Sequence, residues 1–440
     1  MPPPQNKNRI SVHSDGPFYV IPPQQILYLY PPFTLNPAFV MKALRRLGSL
    51  RRPRQFCGHN RCFSDAAPME DEYGVMDDSG LTFTAQQYEL ESGTTMQEVD
   101  LRYRTWGTLN EAKDNAIVVC HALTGNAALN DWWGSFLGEG LPFDTSKYFV
   151  VCANLLGSCY GTTGPMSINP KTGQNYGPDF PLVTVRDAVR LQKRMLREGE
   201  GVKSVKCVIG GSLGGMQSLE WLFSDNDDGH HEGDVPYVRS AIPMACGLYH
   251  HTWQIATSET QRQALYADPD FNDGYYKQDK PPVRGLSLAR QIAMVSYRSH
   301  TSYDHKFGRR RVLDGTEVEE SDAPLDAPFS VEKYLTYQGE KFVTRFDANS
   351  FKTLTHLMDT HDIGRGRGGV IKAAASVTQP VHVVGIDSDA LYPISEQQEL
   401  ADLLPESELT IVRNDDGHDG FLLAQDDIAP LIHTFLKSHE

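Results

Sequence analysis

The pentapeptide Gly210-Gly211-Ser212-Leu213-Gly214 has the residue types that make a serine nucleophilic. A serine hydroxyl is a weak nucleophile at neutral pH, so it needs an adjacent base and backbone N–H donors for the oxyanion that its attack creates. Flanking glycines permit the sharp turn that exposes such a serine, because they carry no Cβ. The sequence therefore predicts Ser212 as a nucleophile, with the N–H group of Leu213 as one oxyanion donor.

Two downstream segments supply candidates for the base and its acid partner. The apolar run 380–386 leads into Asp387 and Asp389, and the run 409–412 leads into a turn that contains His418. Nucleophile, acid and histidine follow one another in the chain order of α/β hydrolases. We expect His418 to act as the base and Asp389 to orient it. Asp387 is a rival for the acid position that the spacing alone does not exclude.

Strands must bring these residues together. The sequence predicts buried strands at 116–120, 148–152, 205–209, 238–244, 380–386 and 409–412, and a helix that begins near 216. Because parallel strands deliver functional groups at their carboxyl ends, the fold class is α/β, an α/β-hydrolase fold with a mostly parallel sheet. The loop 121–125 follows the first strand and is placed to supply a second oxyanion donor, Thr124 or its neighbour Leu123. The alternative is an ordinary glycine-containing turn.

Further motifs are spread along the chain. They are His121-Ala122-Leu123-Thr124-Gly125, Trp132-Trp133, Gly164-Pro165, Ser167-Ile168-Asn169-Pro170, and the segments 210–217, 285–290, 337–342, 346–350 and 417–419. Together they resemble the homoserine O-acetyltransferase family, from about Phe83 to the C-terminus. The resemblance implies an α/β-hydrolase core with an inserted helical lid, dimers formed through the lid, and acetyl transfer from acetyl-CoA to L-homoserine. It also implies Ser212, Asp389 and His418 as the triad, and Arg290 and Asp419 as substrate-binding residues.

Physical chemistry is consistent with those last two roles. Homoserine is a zwitterion, so its pocket gains from a cation facing the carboxylate, as Arg290 would, and an anion facing the ammonium, as Asp419 would. The expected mechanism is a two-step transfer through an acetyl-serine, in which water must be kept from the intermediate. It needs no permanently bound cofactor, with acetyl-CoA as the acyl donor and O-acetyl-L-homoserine, a precursor for methionine biosynthesis, as the product.

These expectations divide the chain into segments. Residues 83–245 and 346–440 would form the core, and 246–345 the lid, with a polar, flexible insertion near 309–328. A second insertion, 224–234, lies away from the catalytic motifs. The first 68 residues would be a disordered extension.

Part of that extension has the composition of a targeting signal. Residues 41–64 are arginine-rich and contain no acidic residue, which is typical of a mitochondrial transit peptide. The alternative is a basic disordered tail. We therefore expect a mitochondrial protein if translation begins at Met41 and the segment is functional, and a cytoplasmic protein otherwise.

Composition excludes several classes of protein. The formal net charge of −15 argues against a nucleic-acid partner, and no apolar run approaches the about 20 residues that a membrane span needs. The expected partners are small-molecule substrates and a second copy of the chain. Cys57, His59 and Cys62 lack a second ligand pair at zinc-site spacing, so no metal is expected.

Three other functions remain open. One is the same transfer to serine or from a longer acyl donor, because one methylene in a pocket changes binding by only about 1–3 kcal/mol. Another is a plain esterase on the same fold. The third is a non-enzymatic binding protein, which the complete set of triad residues disfavours.

Overall fold

The computed structural model describes residues 77–223 and 236–439. The expected extension at 1–68, its transit-peptide segment 41–64, the cluster around Cys57 and the insertion at 224–234 lie outside these residues. For them the sequence-based expectations stay predictions.

The described residues form ten strands. These are β1 (Leu81–Glu89), β2 (Thr95–Trp106), β3 (Ala116–Cys120), β4 (Phe149–Ala153), β5 (Val205–Gly211), β6 (Ala241–Met244), β7 (Arg311–Leu313), β8 (Thr316–Val318), β9 (Val381–Ile386) and β10 (Ser407–Val412). Eight of them form one sheet in the order β1-β2-β4-β3-β5-β6-β9-β10. The pairs from β4 to β10 are parallel, whereas β1–β2 and β2–β4 are antiparallel. The mostly parallel α/β-hydrolase fold is confirmed.

Helices connect the strands. They are α1 (Leu129–Trp132), α2 (Val185–Arg194), α3 (Leu213–Trp221), α4 (Thr252–Tyr266), α5 (Val283–Tyr297), α6 (His300–Phe307), α7 (Ser330–Val343), α8 (Ala348–Asp359), α9 (Val370–Ala375), α10 (Ile394–Leu403), α11 (Gly420–Leu423) and α12 (Gln425–Ser438). A π-helical turn, Met195–Glu200, extends α2. Helix α2 begins with a capping box, in which Thr184 and Asp187 satisfy each other's backbone N–H groups.

The sheet is buried on both faces. Along β3, Ile117 and Val119 belong to one apolar cluster, and Val118 and Cys120 belong to another on the opposite face. Successive side chains of a strand point to opposite faces, so an apolar run without alternation requires cover on both sides. This double burial holds the ends of the parallel strands in fixed positions.

Between β6 and β9 the chain leaves the sheet and forms α4 to α9. Helix α5 packs between α4 and α7. The stretch expected as a flexible insertion, 309–328, contains the hairpin of β7 and β8, in which Arg311 pairs with Val318. The Arg311 guanidinium donates a hydrogen bond of 3.0 Å from Nη1 to the Leu325 carbonyl, which ties the hairpin to the following turn.

Candidate active site

Ser212 lies at the turn between β5 and α3. Its φ of 58° and ψ of −123° place a non-glycine residue in a sparsely populated region of backbone space. The N–H group of Ser212 donates to the Met244 carbonyl at 2.9 Å, so β6 helps to hold the turn. Strand, strained serine and helix have the arrangement of a nucleophile elbow.

Close packing leaves no room for a Cβ at any of the three glycines of the pentapeptide, and at Gly210 it would lie 2.7 Å from the carbonyl oxygen of Cys120. A Cβ at Gly214 would lie 2.2 Å from the carbonyl oxygen of Cys120, at the end of β3. A Cβ at Gly211 would lie 2.1 Å from the ring of Phe421. Such distances are far inside van der Waals contact, so only glycine allows the elbow to approach β3 and the turn that carries His418.

The structure brings Ser212, His418 and Asp389 together in one hydrogen-bonded chain. The Oγ atom of Ser212 lies 2.8 Å from His418 Nε2, and His418 Nδ1 lies 2.7 Å from Asp389 Oδ2. The other carboxylate oxygen, Oδ1, accepts the N–H groups of Leu391 and Tyr392, both at 2.8 Å. We assign the proton of the neutral imidazole to Nδ1, because the carboxylate accepts it there, and Nε2 is then free to accept the serine proton.

Asp387, the rival acid, lies elsewhere. Its side chain is exposed, and its Oδ1 accepts the N–H group of Asn414 at 3.0 Å. That bond links the turns that follow β9 and β10. The geometry at the imidazole therefore favours Asp389 over Asp387.

The turn that carries His418 is tied to its neighbours. Gly417, at φ 72°, donates its N–H group to Ser388 Oγ at 2.9 Å. The rings of Tyr392 and Phe421 lie 5.1 Å and 5.5 Å from the imidazole, between ring centroids. The imidazole is thereby held on both sides and is only 3% exposed.

Ser212 lines a cavity of about 20 Å³, and both predicted oxyanion-loop residues, Leu123 and Thr124, line it too. The loop turns back on itself, since the N–H group of Gly125 donates to the Ala122 carbonyl at 3.0 Å. Leu213 is the first residue of α3, so its N–H group has no acceptor within the helix. Leu123 and Thr124 therefore border the same cavity as Ser212, and Leu213 directly follows Ser212 in the chain.

Arg290 and Asp419 line this cavity too. Arg290, on α5, is 1% exposed, and its guanidinium lies 5.2 Å from the ring centroid of Phe342. The Asp419 carboxylate forms an ion pair with Arg298, with Oδ2 3.0 Å from Nε. Arg298 also pairs with Asp416, at 3.0 Å between Nη1 and Oδ1. The two predicted substrate residues therefore meet at the cavity, and Asp419 has a cationic neighbour that the sequence did not indicate.

Sequence reasoning missed several residues at the site, among them Tyr297, Arg298 and Arg345, whose Nη1 donates to the Thr124 carbonyl at 3.0 Å. Tyr297 lines the cavity, and it lies two helical turns after Arg290 on α5. The seven-residue spacing was the signal that could have found it, because residues seven apart share a helix face. Arg298 and Arg345 lie just beyond the ends of α5 and α7, where the helical sequence periodicity no longer predicts the direction of a side chain.

Three buried titratable groups near the site, His121, Cys120 and Cys246, are neutral near pH 7. Burial lowers the pKa of His121 to about 4, so the imidazole that opens the oxyanion loop is uncharged. Burial likewise raises the pKa of the thiols of Cys120 and Cys246 well above the usual value, which makes them inert apolar packing groups. His418 therefore has no rival as the catalytic base among these three groups.

Within residues 77–223 and 236–439, no group of three or more His, Cys, Asp and Glu side chains is arranged to hold a metal ion. Across the same ranges, no helix combines the length and hydrophobicity that a membrane crossing requires.

Comparisons with known proteins agree with this geometry. A family model described as the alpha/beta hydrolase fold matches residues 115–425. A homoserine O-acetyltransferase of Chlorobium luteolum is 48% identical over 354 residues, which cover 80% of this chain and 92% of the relative. One of Salinibacter ruber is 49% identical over 356 residues, 80% of this chain and 96% of the relative. The chain belongs to the homoserine O-acetyltransferase family.

Solved structures share the fold. The homoserine O-acetyltransferase from Bacillus anthracis superimposes with a TM-score of 0.71 at 26% identity, over 81% of this chain and 96% of that one. Esterase E22 superimposes with a TM-score of 0.71 at 24% identity, over 81% and 99%, which shows the fold alone. The two relatives of this family named above are bacterial and give no support to a mitochondrial transit peptide within 41–64.

Proposed function

We propose that this protein transfers an acetyl group from acetyl-CoA to the hydroxyl group of L-homoserine, through an acetyl ester on Ser212. The product, O-acetyl-L-homoserine, is a precursor for methionine biosynthesis. One observation carries the proposal: the serine and histidine of a hydrogen-bonded Ser-His-Asp chain line a small cavity that the buried Arg290 also lines. Acetyl transfer, the reaction in the names of the relatives, is chemistry that a serine nucleophile with a histidine base can perform.

In the first step, Ser212 attacks the thioester carbonyl while His418 Nε2 accepts the hydroxyl proton. The Oγ–Nε2 distance of 2.8 Å is within range for that transfer. Negative charge develops on the carbonyl oxygen, and the N–H groups of Leu213 and of the 123–124 turn stabilise it. The tetrahedral intermediate collapses, His418 returns the proton to the leaving sulfur, and CoA departs as a thiol.

In the second step, the homoserine hydroxyl is the nucleophile, and it attacks the acetyl ester on Ser212. His418 takes its proton, the alkoxide attacks the acetyl carbon, and Ser212 leaves with the proton returned from His418. Arg290 would face the acceptor carboxylate and Asp419 its ammonium. Asp419 adjoins His418 in the chain, so an ammonium group bound to Asp419 would lie beside the base. The ion pair with Arg298 fixes the direction of the Asp419 carboxylate before the acceptor arrives.

Transfer must outrun hydrolysis, and the small size of the cavity favours this. A cavity of about 20 Å³ has room for about one water molecule, which the acceptor alcohol would displace. We infer that residues 246–345 act as a lid over the core formed by 83–245 and 346–440, because α5 supplies the cavity with Arg290 and Tyr297. Such a lid excludes water and positions the acceptor alcohol.

We also propose that the lid forms a homodimer interface. Its helices carry exposed apolar side chains, namely Trp253, Ile255, Leu288, Val295 and Tyr337. Leu288 and Val295 lie seven residues apart on α5 and share a helix face, and an exposed apolar face is typical of an interaction surface. Light scattering of the wild type and of a Trp253→Asp, Val295→Asp variant tests this: a dimer that becomes a monomer supports the interface, and a monomeric wild type contradicts it.

The deciding experiment measures free thiol released from acetyl-CoA, with and without homoserine or serine. We expect release that depends on homoserine and that Ser212→Ala abolishes. Ser204→Ala is the matched control, because Ser204 precedes β5 at the end of the strand opposite Ser212.

The other outcomes distinguish the competing functions. Equal thiol release with and without an acceptor would indicate an esterase, and preference for serine would reassign the acceptor. Unchanged release in Ser212→Ala would contradict the proposed nucleophile.

A further inference from the structure

The turn that lines the cavity opposite Ser212 is held by side chains from two different regions. The turn comprises residues 121–125, and its middle N–H groups, those of Leu123 and Thr124, are the candidate oxyanion donors. A donor of this kind stabilises the transition state only when it points at the position of the developing oxyanion. The hydrogen bonds that hold the peptide planes of this turn should therefore affect the rate of acylation.

One attachment comes from the core. The side chain of Gln217, on α3, is fully buried, and its Nε2 donates to the His121 carbonyl at 3.1 Å and to the Leu213 carbonyl at 3.3 Å. Gln192 Nε2 in turn donates to Gln217 Oε1 at 3.1 Å. The first peptide plane of the turn is thereby linked to the helix that begins directly after Ser212.

The other attachment comes from the end of the lid. Arg345 Nη1 donates to the Thr124 carbonyl at 3.0 Å and to the Tyr160 hydroxyl at 3.0 Å. The peptide that joins Thr124 to Gly125 is then bonded at both ends, since its N–H group donates to the Ala122 carbonyl. With that plane fixed, the N–H groups of the preceding residues have little freedom to rotate.

Arg345 also borders a larger cleft on the lid side. This outer cleft has a volume of about 350 Å³, and Tyr276, Leu286, Arg345 and Asp347 are among its lining residues. Thr124 borders the inner cavity beside Ser212. The Arg345–Thr124 hydrogen bond thus joins the wall of the outer cleft to the turn that holds the oxyanion donors.

We propose that Arg345 is a positioning residue for the oxyanion turn, and that it makes acylation of Ser212 depend on the seating of the lid. The inference deepens the proposed function, since it rests on Ser212 being acylated. Gln217 holds one end of the turn from the rigid core, and Arg345 holds the other end from the chain that leaves α7. Displacement of that chain would release the Thr124 carbonyl and misdirect the donors.

The test separates acylation from acceptor binding. p-Nitrophenyl acetate acylates an activated serine without CoA or homoserine, so the rate of its p-nitrophenol burst reports the first step alone. We expect Arg345→Ala to lower the burst rate about 30- to 100-fold, because a misplacement near 1 Å costs about 100-fold. Arg345→Lys, which keeps one donor, should recover most of that loss, and KM for homoserine should change less than about threefold.

The matched control is Arg309→Ala, which removes an arginine whose side chain is 73% exposed and pairs with Glu320. It should leave the burst rate unchanged. A normal burst in Arg345→Ala, with a raised KM for acetyl-CoA, would overturn the proposal in favour of donor binding. Equal losses in the Ala and Lys variants, with a matching fall in melting temperature, would also overturn it.

Failure of the proposed function gives a different result. A wild type that shows the ester burst but transfers nothing to homoserine would contradict the acceptor assignment. The effect of Arg345 on the burst could still be measured in that protein.

Discussion

The two regions that line the catalytic cavity are built in different ways. The sheet provides Ser212, Asp389 and His418 from turns that follow β5, β9 and β10. A backbone N–H group in each turn donates a hydrogen bond that holds it: Ser212 to the Met244 carbonyl, Leu391 to Asp389 Oδ1, and Gly417 to Ser388 Oγ. The segment that we propose as the lid, 246–345, provides Arg290 and Tyr297 as side chains on one face of α5.

This difference separates two tasks. Turns held in this way keep Ser212 Oγ and His418 Nε2 within hydrogen-bond distance, as a proton transfer requires. A helix face can exchange a side chain without moving its backbone, so it suits the recognition of one acceptor among several. We therefore expect changes in the turns to affect every substrate, and changes on α5 to affect the acceptor.

The largest expected effect is in the turn after β9. Asp389→Asn keeps an oxygen for the N–H groups of Leu391 and Tyr392 but presents an amide to His418 Nδ1, which favours the wrong tautomer. We expect kcat to fall about 10⁴-fold. Asp387→Asn, the matched control on an exposed carboxylate in the same turn, should stay within about threefold. Thiol release measured at saturating substrates gives both values, and the reverse ranking would transfer the acid role to Asp387.

The sequence could predict this region because its signals are local. A glycine-flanked serine after an apolar run, and acids and a histidine at the ends of two more runs, identify the site without any knowledge of packing. All six predicted strands are present in the sheet. Asp387 and Asp389 lie two residues apart in the same turn, and only the conformation of that turn decides which carboxylate reaches His418. The spacing alone could therefore not choose the acid residue.

The rest depends on packing over long sequence distances. β1 and β2 pair antiparallel at the edge, and the residues of β1 are mostly exposed, so no buried apolar run marks it. The bond from Arg345 to Thr124 joins residues more than 200 positions apart. The pairing of Arg298 with Asp419 depends on how the end of α5 meets the histidine turn. No local pattern specifies such contacts.

The next effect concerns the stability of the sheet side. Gly214→Ala would place a Cβ 2.2 Å from the Cys120 carbonyl oxygen, a backbone atom that cannot rotate away. We expect the free energy of unfolding to fall by about 3 kcal/mol, at the upper end for an overpacked site. Gly134→Ala is the control, because a Cβ at that position would meet no atom within 4 Å. Urea unfolding compares them, and equal stabilities would show that the elbow tolerates displacement.

A smaller effect is expected on the lid side. Arg290→Lys keeps the positive charge but loses the planar pair of donors that matches a carboxylate. We expect KM for homoserine to rise about 10- to 30-fold, while the p-nitrophenyl acetate burst stays within about twofold. A burst that falls as much as kcat/KM for homoserine would mean that α5 also holds the reacting atoms, and the division between the regions would be wrong.

The smallest effect lies where the lid meets the core. Gln254, on α4, donates from Nε2 to the Leu391 carbonyl at 2.6 Å and to Glu396 Oε2 at 2.9 Å, and this links the lid to the segment that holds Asp389. Burial, opposed in part by the Gln254 hydrogen bond, raises the pKa of Glu396 to about 7. The folded protein therefore binds this proton more tightly than the unfolded chain does.

The sign of the pH dependence follows from that preference. The protonated Glu396 side chain adds to the free energy of unfolding. This stabilisation is fully present below the unfolded pKa near 4.5 and is lost as the pH rises through 7. Glu396→Gln cannot ionise, so it should gain stability relative to the wild type between pH 5 and pH 8, by about 1 kcal/mol after allowance for solvent screening. Urea unfolding at both pH values measures this, with Glu340→Gln, an exposed carboxylate on α7, as the control. If the free energy of unfolding varies with pH in parallel for the wild type and Glu396→Gln, the contact between lid and core does not sense pH. If only Glu396→Gln gains stability as the pH rises, and Glu340→Gln does not, the pH sensitivity lies beside the turn of Asp389.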